Sequence, residues 1–177
     1  MHGVVVVTGV MASGKSTVAQ ALAERLPRAA HVRGDVFRRM IVSGREEYVP
    51  GSAAGSEAET QLRLRRRLSA ATADEYAAAG FTAVVQDVLL GVALTEYVEL
   101  VRTRPLHVVV LTPAPEVVAA REAGRPKTGY GAWTVEQLDA GLRAETPRTG
   151  LWLDTSELTV TETVDAILAG AERARVA

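Results

Sequence analysis

An α/β architecture of three layers, with a five-stranded parallel sheet between two layers of helices, is predicted by three features of the sequence. Short β-branched runs alternate with helical patterns along the whole chain, as in a parallel sheet covered on both faces. A glycine-rich turn separates the first such run from the first helical pattern. At 177 residues, 47% apolar and 23% charged, the chain can build one sizeable core and is too apolar for disorder.

The first strand is Val4 to Val7, ending at Gly9, and its unbroken apolar character reads as buried on both faces. The helix from Lys15 to Leu26 places Val18, Leu22 and Leu26 at i, i+4, i+8, and Pro27 stops it. Ala29 to Arg33 is a second strand, ending at Gly34-Asp35. Phe37, Met40 and Ile41 mark a short helix closed by Gly44, with Met40 assigned to the core. Residues 44–58 are one long stretch of turn chemistry, which compact domains seldom keep without a functional reason. A long helix is predicted from about Glu57 to Ala79, with Leu64, Leu68 and Ala71 on one face.

Phe81 to Gln86 is the third strand, capped by Asp87, and a helix around Thr95 to Val101 follows. Leu106 to Leu111 is the fourth strand, followed by a helix from about Pro115 to Glu122. After a second irregular segment at 124–131, Thr134 with Gln137 forms a capping box for a helix to about Ala144. Leu151 to Leu153 is the fifth strand. Thr159 with Glu162 caps the last helix, whose buried stripe reads Val164, Ile167, Leu168 and Ala171. No repeat or linker interrupts the pattern, so residues 1–177 are expected to form one domain.

Composition removes several function classes. There is no cysteine, so disulfides, thiolate metal sites and a cysteine nucleophile are excluded. His2, His31 and His107 lie far apart, without zinc-ligand spacing. Twenty Lys+Arg against 21 Asp+Glu give a net charge of −1, which argues against a general nucleic-acid binder. No apolar run approaches the roughly 20 residues of a membrane span. The start MHGVVVVTG lacks a charged leader and a cleavage site, so the expectation is a cytoplasmic protein without a membrane partner.

The most specific motif is Gly9-Val10-Met11-Ala12-Ser13-Gly14-Lys15-Ser16, which fits G-x-x-x-x-G-K-[ST] between a strand and a helix. Glycines let backbone N–H groups wrap a phosphate at the positive end of the following helix. Lys15 is then placed for the β- and γ-phosphates and the Ser16 hydroxyl for Mg²⁺, with Thr17 completing the loop. The chain has no asparagine, which excludes the Asn-Lys-x-Asp motif of guanine-specific switch proteins. Asp87 is followed by Val88 rather than Glu, so water activation at that position is unsupported. What remains favours transfer of a γ-phosphoryl group to a bound acceptor.

GVMASGKS (9–16), GDVFRR (34–39), VVQD (84–87), REAGR (121–125) and WLDTS (152–156) together resemble the nucleotide-kinase-like group of small P-loop phosphotransferases. The likeness is strongest to chloramphenicol phosphotransferase-like and related small-molecule kinases. It implies a nucleoside monophosphate kinase-like sheet, Mg-ATP as donor, an acceptor-side loop and helix at about 44–79, and an arginine-bearing lid at about 121–131. In that group an acid at the position of Asp35 contacts the acceptor hydroxyl and takes its proton; an N-cap for the helix holding Phe37 is the structural alternative. Asp87 would serve Mg²⁺ or act as a second base. Arg121 and Arg125, four residues apart, would clamp the transferring phosphoryl group. Thr155 would flank adenine through its backbone.

In G-D-x-x-R, Arg38 resembles the nucleoside monophosphate kinase arginine that grips an acceptor phosphate. The segment after Asp87 lacks the second arginine of those enzymes, which favours a hydroxyl acceptor of low charge. Arg63, Arg65, Arg66 and Arg67 read as a solvated face, with Glu59 paired to Arg63, and acceptor or partner binding is the alternative. Tyr48, Val49 and Pro50, and Tyr130 and Trp133 beside the lid, stand equally as walls of an acceptor pocket or as residues that pin their segments to the core, and Lys127 as a solvated lid charge. The expected activity is ATP-dependent phosphorylation of a small hydroxyl-bearing antibiotic or metabolite by a monomer or homodimer. A nucleoside or nucleotide kinase and an ATP-binding regulatory module are the alternatives.

Overall fold

Four consecutive valines, Val4 to Val7, are fully buried in β1 (Val4–Gly9), because this strand runs through the middle of the sheet with helices on both sides. The structure is a computed structural model and describes residues 1–49, 51–124, 130 and 132–177. The sheet order is β2 (Ala29–Arg33), β3 (Thr82–Gln86), β1, β4 (Leu106–Leu111), β5 (Leu151–Leu153), with every pairing parallel. Registers such as Val7 with Gln86 and Val109 bring the carboxyl ends of the three central strands to one edge.

The period-two alternation of the strands divides the core. Val4, Val6, Val108 and Val110 face α3 (Glu57–Ala78), α4 (Val92–Leu100) and α6 (Val135–Glu145) through Ala70, Ala73, Leu94, Tyr97 and Leu142. Val5, Val7, Val109 and Leu111 face α1 (Lys15–Arg25) and α7 (Val160–Ala169) through Val18, Leu22, Val164 and Ile167. Full burial of one valine is worth about 1.5–3 kcal/mol, so the central strands anchor everything built on their ends. The short α2 (Gly34–Arg39), α5 (Pro115–Ala123) and α8 (Ala171–Ala174) complete the chain. No helix among the described residues is long and apolar enough to cross a membrane.

Both capping boxes form. Thr134 Oγ1 accepts from Gln137 N at 3.1 Å while Gln137 Oε1 accepts from Thr134 N at 3.0 Å. Thr159 and Glu162 repeat the exchange at 3.2 and 2.9 Å. Three readings of periodicity are corrected. Met40 is 65% exposed, because α2 ends at Arg39 before its turn can carry Met40 inward. Leu64, Leu68 and Ala71 lie on the solvent side of α3, whose buried side is Ala58, Ser69, Ala70, Ala73 and Asp74. Small residues let this helix approach the sheet closely, so the leucines are turned away. On the last stripe Val164 and Ile167 are buried, whereas Leu168 and Ala171 are only partly covered. The fourth helix also begins earlier than expected, at Val92.

Asp74 ties the end of α3 to the segment after α4 by accepting from Arg102 N at 3.1 Å and Thr103 N at 2.9 Å. Burial pushes its carboxyl up, but hydrogen bonds from Thr103 and Arg102 outweigh this and hold it below the usual range.

Candidate active site

The turn after β1 is built around backbone that side chains resist. Gly9 has φ 148°, and a Cβ there would meet the Leu111 carbonyl and lie 2.8 Å from Ser13 Oγ. Ala12 takes φ 59°, and Gly14 takes φ 94° as the N-cap of α1. Ser13 N donates to Val10 O at 3.2 Å, closing the turn. The buried Ser13 hydroxyl has no hydrogen-bond partner among the described residues. Lys15 Nζ rests on Val10 O at 2.7 Å. This cradle, opening onto a helix N-terminus with a lysine folded beside it, has the donors a triphosphate needs.

Ser16 Oγ donates to Gln86 Oε1 at 2.6 Å, which leaves the oxygen lone pairs available to a cation. The side chain that reaches Ser16 is therefore Gln86. Asp87, expected as a metal ligand or second base, lines the same cavity and is paired with Arg65. Its Oδ2 accepts from Arg65 Nε at 2.9 Å, and Oδ1 accepts from Arg65 Nη2 and, at 2.7 Å, from Val88 N. Asp87 is 2% exposed and the Arg65 side chain 16%. A Cβ at Gly34 would overlap Asp87 Oδ2, so the glycine before Asp35 is required by the carboxylate across from it. Thr8 fastens the same region: its hydroxyl donates to Leu89 O at 3.1 Å and accepts from Leu89 N at 2.9 Å.

Asp35 stands in the first turn of α2 at the carboxyl edge of β2, half-exposed, with Arg39 Nη2 at 2.9 Å from Oδ2. It caps no helix through its side chain, because α2 starts at Gly34. Arg38 pairs with Glu47. Burial lowers the Arg38 pKa first, with Arg45 and Arg65 acting the same way. Tyr48 lines the cavity from the loop after α2 and is 40% exposed. On the opposite side Arg121 reaches from α5 over the phosphate loop, donating to Thr155 O at 3.1 Å and Ser13 O at 3.5 Å. Tyr130 Oη donates to Met11 O at 2.7 Å, so this aromatic is buried against the phosphate loop. Arg125, Lys127, Pro50 and most of the expected lid lie outside the described residues.

One cavity of about 940 Å³ joins these parts, running from Lys15 and Ser16 past Asp35 and Asp87 to a wall that includes Leu62, Trp133 and Leu138. Lys15, Ser16, Thr17, Asp35, Arg38, Tyr48, Asp87 and Arg121 all line it. Sequence reasoning placed the 63–67 arginines on a solvated face. Arg65 and Arg66 instead turn inward, Arg66 toward Glu96 at 3.5 Å, with its pKa lowered mainly by burial. Gln86, Gly34 and Thr8 were missed, and the solvated-face reading does not hold for Arg65. The available signal was the Ser69, Ala70, Ala73 stripe of α3, which shares a helical face with Arg65 and Arg66.

A parallel sheet that carries this turn between its first strand and first helix defines a P-loop protein. The chain belongs to the AAA domain family, whose model matches residues 4–162. No curated protein matches the sequence. Among solved structures, a sugar kinase from Janibacter sp. HTCC2649 is 21% identical with a TM-score of 0.71, over 98% of this chain and 96% of that one. A gluconokinase from Sinorhizobium meliloti 1021 is 25% identical with a TM-score of 0.61, over 97% and 92%. The tunicamycin resistance protein of Deinococcus radiodurans is 20% identical with a TM-score of 0.64, over 100% and 99%.

Proposed function

We propose that this chain is an ATP-dependent phosphotransferase that moves the γ-phosphoryl group to a hydroxyl of a small molecule. The carrying observation is the single cavity that holds a phosphate cradle at one end and the half-exposed carboxylate of Asp35 beside it. The likeness to sugar kinase and gluconokinase structures supports the same class of reaction.

In this reading the acceptor oxygen forms a bond to the γ-phosphorus and the bond to the β,γ-bridging oxygen breaks, with ADP leaving on the electron pair. Asp35 orients the acceptor hydroxyl and receives its proton. Lys15 and Arg121 move from main-chain carbonyls onto phosphate oxygens, where charge accumulates. Arg125, four residues on from Arg121, would join them from the lid over 121–131 and help exclude water. Ser16, with its proton directed to Gln86, would hold Mg²⁺. The ion, when bound, supplies charge neutralisation between the phosphates. Residues 44–79 would shape the acceptor side of a single domain, with Tyr48 on its wall. Chloramphenicol is one candidate acceptor, and the cytoplasm, where ATP is available, the expected compartment.

The test is acceptor-dependent ADP formation over a panel of polyols, sugar acids, nucleosides, nucleoside monophosphates and chloramphenicol. Stimulation above the acceptor-free rate by at least one hydroxyl compound, with the label of γ-³²P-ATP recovered on it, supports the reading. Tight ATP binding with no transfer to any of them would instead favour a regulatory module.

A further inference from the structure

We propose that Arg65, held in place by Asp87, reads the acceptor, and that it selects an uncharged polyhydroxyl compound over one carrying a carboxylate or phosphate. The inference takes the phosphotransferase reading above as its starting point and names the class of its second ligand.

A guanidinium has five N–H groups in a fixed fork. Asp87 takes the Nε edge and one Nη2 donor, and the structure shows no hydrogen-bond partner for Nη1 among the described residues. Arg65 lines the cavity, and its paired carboxylate is itself almost wholly buried. The pair therefore presents fixed donors without net charge. Oxygen lone pairs of hydroxyl groups meet such donors at no electrostatic cost, whereas an anion would be brought against the Asp87 carboxylate.

The remaining arginines on that side are also engaged. Arg38 pairs with Glu47, Arg63 with Glu59 at 2.7 Å, and Arg66 with Glu96 at 3.5 Å. Around the whole cavity carboxylates outnumber basic side chains, although Lys15 and Arg121 stand at the phosphate end. An arginine-rich helix would ordinarily suggest an anionic partner; here each of its cavity-lining arginines already has a carboxylate partner. Leu62, Leu138 and Trp133 supply apolar surface for the carbon face of a ring or chain.

The experiment is calorimetric binding of matched probes in the presence of Mg²⁺ and a non-hydrolysable ATP analogue. The pairs are D-glucitol and D-gluconate, uridine and uridine monophosphate, and chloramphenicol and its hemisuccinate. Wherever a pair binds, the neutral member is expected to bind about tenfold tighter or better. In Asp87→Asn the Arg65 charge is unmasked and the ratio should fall or invert. Asp87→Asn leaves a buried charge unpaired, so Arg65→Met/Asp87→Leu, which replaces the pair with apolar groups, serves as the folded control and should lose the neutral probe. Tighter binding of the anionic members, a ratio unmoved by Asp87→Asn, or no binding of any neutral probe would overturn the inference. Neutral preference without label transfer from ATP would leave it standing and defeat the phosphotransferase reading alone.

Discussion

The two ends of the cavity hold their positive charges in different ways. At the phosphate end, Lys15 and Arg121 rest on main-chain carbonyls of Val10, Ser13 and Thr155. At the other end, the arginines rest on carboxylates, the deepest on Asp87. A hydrogen bond from a charged donor to a carbonyl is worth about 1.5–3 kcal/mol net, and a phosphate oxygen can take the carbonyl's place. Removing one partner from a buried ion pair costs about 3–5 kcal/mol. In the proposed reaction one end changes partners and the other keeps them.

The sharpest way to break this contrast is to remove the exchanging cation. Lys15→Met is expected to lower transfer by about 10²–10³-fold, on the scale of losing one preorganised electrostatic contact. Steady-state rates at saturating ATP measure it; a rate within a few-fold of wild type would mean that Lys15 is only structural. The keeping end is tested through its packing. Gly34→Ala places a Cβ against Asp87 Oδ2 and should cost about 1–3 kcal/mol of stability, read from urea midpoints. If Gly34→Ala is neutral, the Asp87–Arg65 pair is not tightly held.

How much of this was legible in the sequence depends on the distance between partners. The phosphate loop was readable because its cradle, lysine and helix start lie within eight consecutive residues. The capping boxes were readable for the same reason, with both partners three residues apart. The Arg65–Asp87 pair joins residues 22 apart, and Ser16–Gln86 joins residues 70 apart, so only the folded sheet brings them together. Leu64 and Leu68 show a second limit. Helical periodicity was right, but its phase was set by the large apolar residues, whereas the sheet accepted the alanine side. The site itself was partly legible: Asp35, Asp87 and Arg121 do line the cavity with Ser16, yet the pairing of Ser16 with Gln86 and of Asp87 with Arg65 was not foreseen.

The smallest expected effect concerns pH and lies outside the cavity. Burial lowers the pKa of His31, with Arg33 adding to this and Asp35 opposing it, and burial likewise lowers His107. The unfolded chain then binds protons near the usual histidine value of 6.5 that the folded chain refuses. Stability should be complete above that value and decline as pH falls through it toward the lower folded values. Asp74, whose folded pKa lies below the usual 3.8, adds a second loss below that pH. Urea midpoints measured from pH 8 to 3 should show both steps, and His31→Gln should shrink the first. A flat profile between pH 7 and 5 would contradict the histidine assignment.

In the proposed reaction Asp35 handles the acceptor proton beside a phosphate cradle that it does not help to build. The direct measurement is label transfer from γ-³²P-ATP to the best acceptor by Asp35→Asn, with nucleotide affinity measured on the same protein. The expected result is a fall in transfer of about 10²-fold or more with nucleotide affinity within a few-fold of wild type. Transfer at the wild-type rate, or loss of nucleotide binding in parallel with transfer, would contradict it.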